Sequence, residues 1–163
     1  MPTVHTHLWF DHQAEEAATF WTSIVPGSRI LSVRRAPAGV PDVEEGAAFV
    51  VELEVAGHRV TALNAGPSFT LDEAFSFFLE CADQAEVDHY WDALLADGGT
   101  PSQCGWLRDR FGVAWQVVPA GLDELVFAPG EAGARAMACM LGQGKLDIDA
   151  IRTAFEGDGD PGR

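Results

Sequence analysis

Two histidines and one glutamate stand on predicted strands, where their side chains could do chemistry. His5 and His7 alternate within residues 4–10, so both lie on one face of a first strand. Neutral imidazole is a strong ligand for a divalent metal ion, although histidines here could also be a plain surface feature. Glu80, within the apolar residues 74–81, could be a general base with a raised pKa, or an ordinary solvated strand residue. The first hypothesis is metal-assisted or acid–base chemistry.

Other side chains suit the binding of a small molecule. Asn64 and Gln116 can each donate and accept hydrogen bonds, so they could orient a polar ligand or satisfy backbone groups at strand ends. Aromatic side chains that could line a cleft are Trp9, Phe78 and Trp106. Cys104 could be a nucleophile, but the sequence shows no adjacent cation, which favours an inert thiol.

Composition limits the classes of partner. The chain has 163 residues, 47% of them hydrophobic, and a formal net charge of -15 from 25 acidic and 10 basic residues. The electrostatic field of this negative charge repels phosphate backbones and anionic lipid headgroups. Neither nucleic acid nor a membrane is therefore an expected partner. The N-terminal residues lack the basic segment and apolar core of a secretory signal. Three cysteines without CxxC spacing indicate reduced thiols, and we expect a soluble, cytoplasmic protein.

Hydrophobic periodicity predicts the same order of elements twice. The first half reads as strands at 4–10, 29–35, 47–55 and 59–64, with a helix at 14–24. The second half reads as a strand at 74–81, a helix at 84–96 and a hairpin within 103–119. We therefore expect one domain over residues 1–119, made of modules at 1–66 and 67–119.

A helical tail should follow this domain. Helices are predicted at 122–125, 131–141 and 147–155, packed on the domain or on a dimer partner. The second of them carries a stripe of small and apolar side chains, typical of a packing or dimer face: Ala134, Met137, Ala138 and Leu141. The last residues of the tail, which reaches residue 163, should be flexible.

The hairpin at 103–119 contains the most distinctive turn. Opposite charges followed by glycine at 108–112 indicate a tight structural turn between two strands. In the second strand Gln116 is a polar residue on a largely apolar stretch, and Pro119, which has no N–H, ends the ladder.

Short aromatic-rich motifs occur in a fixed order along the chain: Leu8-Trp9-Phe10-Asp11, Ala62-Leu63-Asn64, Val87-Asp88 with Tyr90-Trp91, Gln103-Cys104-Gly105-Trp106-Leu107, Asp109-Arg110-Phe111-Gly112 and Trp115-Gln116-Val117-Val118-Pro119. Together they resemble the PhnB-like family, often labelled 3-demethylubiquinone-9 3-methyltransferase. This family belongs to the vicinal oxygen chelate superfamily, which includes glyoxalase and bleomycin-resistance proteins. The resemblance implies an α+β fold of paired βαβββ modules around a shared cleft, commonly completed by homodimerisation.

The resemblance also implies where a metal would be held. Ligands in metal-using members come from the first and last strands of each module, which here gives His5, Ala62 with Asn64 two residues on, Ser76 and Gln116. Of these positions His5 and Gln116 could coordinate a divalent ion, and His7 or Glu80, one pleat period away, could substitute for a missing ligand. Ser76 would instead contact a substrate.

Two function classes follow. The first is an enzyme of the vicinal oxygen chelate type, in which a divalent ion acts as Lewis acid and Glu80 as base. The second is a metal-free protein that sequesters an apolar or cationic compound; a ligand-free dimeric scaffold is a third reading. A Rossmann-type methyltransferase needs a Gly-rich turn from strand to helix, whereas Gly98-Gly99 follows a helix. We therefore expect neither S-adenosylmethionine nor a nucleotide as cofactor.

Overall fold

The computed structural model describes residues 1–157; the predicted flexibility of the last residues concerns positions outside this range. Its strands are β1 Thr6–Phe10, β2 Arg29–Arg35, β3 Ala48–Val55, β4 His58–Asn64, β5 Phe77–Cys81, β6 Thr100–Pro101, β7 Trp106–Arg108 and β8 Ala114–Pro119. Its helices are α1 Ala14–Ile24, α2 Gln84–Leu95, α3 Leu122–Val126, α4 Glu131–Leu141 and α5 Ile148–Glu156. Within the same residues, no helix combines the length and the apolar character needed to span a membrane.

Most predicted elements lie close to their predicted bounds, and α1, β2 and α4 match them. The main difference is β5, which begins at Phe77 and not at residue 74. Residues 73–75 form a turn in which Glu73 is paired with Arg108, Oε1 to Nε 3.1 Å, and this turn delays the strand. The short strand β6 was not predicted, because two residues are too few to show a period.

The chain divides into two compact units, Met1–Asp72 and the part from Glu73 onward. The predicted modules divide at residue 66, and the helical tail belongs to the second unit. Each unit contains a four-stranded sheet, with strand order β1-β4-β3-β2 in the first and β5-β8-β7-β6 in the second. In each sheet the first strand pairs in parallel with the last hairpin strand, and the other pairs are antiparallel. This is the predicted α+β fold of paired βαβββ modules with a helical tail.

In the first unit, α1 covers one face of the sheet. Phe10 packs against Trp21 of the helix, with ring centroids 6.1 Å apart, and Leu8 is buried on the same face. Because strand side chains alternate, the opposite face carries the other residues of each strand. We call this the polar face; its members include His7, Trp9, Ser32, Glu52 and Thr61.

In the second unit, α2 covers the face formed by Phe77, Cys81, Trp115 and Val117, all of which are buried. Asp83 caps this helix as predicted, since its Oδ1 accepts a hydrogen bond from the backbone N–H of Glu86 at 2.9 Å. We call the opposite face of this sheet the aromatic face; its members include Phe78, Glu80, Trp106, Arg108 and Gln116.

The helical tail packs on its own second unit. Val118, two residues after Gln116 on β8, is part of a buried apolar cluster with residues of the tail: Leu122, Val126, Ala136, Leu146, Ile148 and Ile151. Gln84 of α2 fixes the start of α5, because its amide donates to the Leu146 carbonyl at 2.9 Å and accepts from the Ile148 N–H at 3.0 Å. Lys145 adds an ion pair with Asp88, Nζ to Oδ1 2.9 Å. The α4 stripe is largely exposed, with Leu141 57% exposed, and its role as a dimer face stays a prediction.

The turn between β7 and β8 is organised by one buried carboxylate, in agreement with the predicted structural turn. Asp109 is only 3% exposed. Its Oδ1 accepts hydrogen bonds from the backbone N–H of Phe111 at 2.9 Å and of Val113 at 3.0 Å, while Oδ2 accepts from Trp115 Nε1 at 3.0 Å. The carboxylate therefore joins the turn to the core and fixes where β8 begins.

We predict that Asp109→Ala lowers the free energy of unfolding by about 3 kcal/mol, because three donors that bond this buried carboxylate lose their acceptor. Asp109→Asn should lose less, since an amide oxygen can still accept from the backbone but not from Trp115 through its nitrogen. Urea denaturation followed by circular dichroism measures both. The matched control, Asp92→Ala on the exposed side of α2, should change stability by less than about 0.5 kcal/mol. Equal stability of the Asp109 and Asp92 variants would contradict this role.

Candidate functional site

Three predicted binding residues form one row on the aromatic face. Gln116 in β8 is the register partner of Phe78 in β5 on one side and of Trp106 in β7 on the other. Side chains directly opposite each other on neighbouring strands lie close enough to contact the same ligand. We call Phe78, Gln116 and Trp106 the aromatic row: two rings flank one amide.

The aromatic row is accessible, although it is bounded on both sides along the strand direction. Phe78 is 58% exposed, and Trp106 and Gln116 are half-buried. On one side Ser76 accepts a hydrogen bond from Gln116 Nε2 at 3.0 Å. On the other side the tail buries Val118, two residues after Gln116. The row is therefore a short patch in which flat apolar surface surrounds a few polar atoms, as in many small-molecule sites.

Charged groups lie beside the aromatic row. Arg108 follows Trp106 by one pleat period and is ion-paired with Glu73, Nε to Oε1 3.1 Å. Glu80, the predicted base, follows Phe78 by one pleat period on the same face and is exposed. The structure thus brings the predicted residues Ser76, Phe78, Glu80, Trp106 and Gln116 onto one face of the second unit.

The remaining predicted residues belong to the first unit. Trp9 lies on the polar face, where its Nε1 donates to the Gly66 carbonyl at 2.8 Å and its ring meets Phe69 edge-on at 4.9 Å. His7 lies on the same face as the register partner of Thr61. His5, just before β1, forms a hydrogen bond between Nε2 and Thr61 Oγ1 at 3.1 Å.

Asn64 does not lie on the polar face. It is 4% exposed on the side of α1; its Oδ1 accepts from the backbone N–H of Ala14 at 2.9 Å and its Nδ2 donates to the Ala48 carbonyl at 2.9 Å. Of the two roles considered for Asn64, the structure therefore assigns it the satisfaction of backbone groups. Ala62, the other residue at the predicted ligand position of the hairpin, is also buried on this side; Thr61 and Leu63 occupy the polar face instead.

The polar face contains a row of polar side chains that was not predicted from the sequence. Thr61 in β4 pairs in register with His7 in β1 and with Glu52 in β3. Glu52 in turn pairs in register with Ser32 in β2. The Ser32 hydroxyl donates to Glu52 Oε2 at 2.8 Å, and Arg34 Nη2 lies 3.4 Å from Oε1. The Ser32 hydrogen bond, followed by the charge of Arg34, holds the pKa of the Glu52 carboxyl below its usual range. Glu52 is therefore an anion at neutral pH. The alternation of side chains in β3 indicates which face Glu52 occupies. It does not show that Ser32 and Arg34 of β2 are the partners of Glu52.

The donors present fit a resident divalent metal poorly. Among residues 1–157 no group of three His, Cys, Asp or Glu side chains lies together in a way that could hold an ion. Gln116 contributes a neutral amide, which is a weaker donor than a carboxylate.

The model of the family described as 3-demethylubiquinone-9 3-methyltransferase matches residues 2–118, more than half of the chain. The chain belongs to this PhnB-like family. The PhnB-like assignment, predicted from the short motifs, is thereby confirmed. A search of curated proteins found no match to the PhnB-like chain.

Solved structures agree with the family. A PhnB protein from Bacillus cereus is 28% identical, with a TM-score of 0.66, over 73% of this PhnB-like chain and 100% of that chain. A protein from Pseudomonas aeruginosa is 22% identical, with a TM-score of 0.59, over 73% of this chain and 98% of that chain. The fosfomycin resistance protein FosX from Listeria monocytogenes is 13% identical, with a TM-score of 0.54, over 76% of this chain and 94% of that chain. The last two likenesses concern the fold alone.

We predict that Asn64→Ala lowers the free energy of unfolding by about 2 to 4 kcal/mol, because the Ala14 N–H and the Ala48 carbonyl lose their shared partner. Asn64→Asp keeps an acceptor for Ala14 and loses the donor to Ala48, so it should lie between the wild type and the alanine variant. Thermal and urea unfolding measure both. An unchanged unfolding midpoint in Asn64→Ala would contradict the structural role.

Proposed function

We propose that this PhnB-like protein binds a small molecule with a flat apolar ring on the aromatic row, without a resident metal. The observation that carries the proposal is the register of the row, which sets the rings of Phe78 and Trp106 on either side of the Gln116 amide. Each ring offers a large, rigid contact surface, and an aromatic pair contributes about 0.5 to 1.5 kcal/mol beyond the area it buries.

The polar atoms at the row support a binding role. Gln116 and Ser76 offer neutral donors and acceptors, which orient a ligand without reacting with it. The charged groups beside them are an exposed carboxylate, Glu80, and the ion pair between Glu73 and Arg108. This composition supports a ligand that is neutral or positively charged, in keeping with the formal net charge of -15.

Methyl transfer is not part of the proposal, although the family description names it. Rossmann-type methyltransferases hold their cofactor at the carboxyl end of a doubly wound parallel sheet. Each sheet of this chain contains one parallel pair and two antiparallel pairs instead. A fold does not by itself carry a function, so the proposal rests on the side chains of the row. Homodimerisation and a cytoplasmic location remain predictions.

A second candidate is a metal-assisted enzyme of the vicinal oxygen chelate type, with Glu80 as base. One observation favours it: His5 lies near enough to Glu52 to contribute to the lowered pKa of that carboxyl, so imidazole and carboxylate donors share the polar face. A divalent ion bound there with His7 would supply Lewis-acid chemistry. The described residues, however, form no group of three His, Cys, Asp or Glu donors.

We predict saturable binding of quinoline or N-methylquinolinium, measured by isothermal titration calorimetry. Phe78→Ala and Trp106→Ala should each weaken binding about 10-fold, since each removes one ring from the row. Phe127→Ala is the matched control, because Phe127 is 71% exposed and lies on the tail. Its affinity should equal that of the wild type. Equal losses in all three variants, or no binding of either compound, would argue against the proposed function.

A separate prediction concerns metals. Zn, Ni, Mn and Fe should be far below one equivalent in the purified protein, because the described residues lack a group of three strong donors. Treatment with EDTA should leave quinoline binding unchanged. Elemental analysis by mass spectrometry is the measurement, with His5→Ala as the comparison. A stoichiometric metal that is lost in His5→Ala would favour the second candidate.

A further inference from the structure

The hydrogen bond between Gln116 and Ser76 defines which polar atoms face a ligand. Gln116 Nε2 donates to Ser76 Oγ at 3.0 Å, so the amide nitrogen points toward Ser76, the residue just before β5. A glutamine amide has two N–H donors and one carbonyl acceptor, and a serine hydroxyl can donate as well as accept. This bond uses one of the N–H donors and one acceptor site of Ser76. The carbonyl Oε1, the second N–H and the Ser76 O–H are the groups that can serve a ligand.

The geometry points to a ligand that carries a carboxamide or lactam beside its flat ring; this inference rests on the proposed function. An amide group presents a carbonyl acceptor and an N–H donor on neighbouring atoms. The acceptor matches the Ser76 hydroxyl or the second N–H of Gln116, and the donor matches Gln116 Oε1. Such a ligand makes two hydrogen bonds at the centre of the row while its ring contacts Phe78 or Trp106.

The spacing of the strands agrees with a ring in this position. Neighbouring strands lie about 4.8 Å apart, so β5 and β7, on either side of β8, are separated by roughly 9.5 Å. A flat group above Gln116 then lies between the strands that carry Phe78 and Trp106. One or two fused rings fill this space.

The charges around the row select against a carboxylate in place of the amide. Glu80 lies on the same face, one pleat period from Phe78. Arg108, the cation of this face, is ion-paired with Glu73. An anionic ligand would therefore approach an exposed carboxylate on a chain of formal net charge -15. A neutral amide offers the same acceptor without this repulsion.

Four quinolines that differ in one substituent test the inference by calorimetry: quinoline, 3-acetylquinoline, quinoline-3-carboxamide and quinoline-3-carboxylate. The carboxamide should bind about 10-fold or more tightly than quinoline, because it adds two hydrogen bonds to groups already positioned for them. The acetyl compound has the carbonyl but no N–H, so its affinity should lie between these two. The carboxylate should bind more weakly than quinoline.

Variants connect the preference to the two residues. In Gln116→Leu the carboxamide should bind no more than about 2-fold more tightly than quinoline does to the same variant. Ser76→Ala should remove part of the preference, and Ser68→Ala, an exposed serine of the first unit, should remove none. Near-ultraviolet circular dichroism of each variant checks that the fold is intact.

The outcomes separate the two proposals. If no quinoline binds, the proposed function fails. If quinoline binds and the carboxamide binds equally well, or if the carboxylate binds most tightly, the amide inference fails while the proposed function stands. A carboxamide preference that persists in both Gln116→Leu and Ser76→Ala also overturns the inference, because other groups would then recognise the amide.

Discussion

The register of the parallel pair between β5 and β8 decides which side chains the second unit presents together. Side chains alternate along a strand, so a shift of one residue would move Gln116 to the face that α2 covers. Phe77 and Trp115, whose ring centroids lie 4.8 Å apart under α2, oppose such a shift. Asp109 adds to this by fixing the start of β8 from the turn. Packing on the helix side therefore determines the composition of the aromatic face.

The sequence predicted the sheet face on which a side chain lies more reliably than the side chains that it contacts. Alternation within one strand was enough to place Phe78 and Glu80 together, and the aromatic-rich hairpin was enough to set Gln116 apart. At the first hairpin, however, the residues aligned as ligands were Ala62 and Asn64, and both lie on the side of α1. An offset of one residue reverses the face, and motif resemblance does not resolve that offset.

The row around Glu52 could not be assembled from the sequence for a different reason. Ser32, Glu52 and Thr61 come from three strands, and their contact depends on the register of each pair, including the irregularity between Ile30 and Ser32. The pattern of a single strand contains no information on these registers. The chemistry of Glu52 is equally a product of its partners. With its pKa lowered by Ser32 and Arg34, it is a poor proton acceptor near neutral pH and a better fixed charge.

The family name and the site lead to different expectations, and the side chains decide between them. A catalytic centre needs a positioned acid, base, nucleophile or cofactor near the reacting atoms. The aromatic row instead combines two rings with a neutral amide and a hydroxyl, while Glu80 on the same face is exposed. The anionic Glu52 lies on the other unit, within a network that already supplies its partners. Recognition of shape and hydrogen-bonding pattern is what this set of groups can achieve, so binding is the simpler account of the second unit.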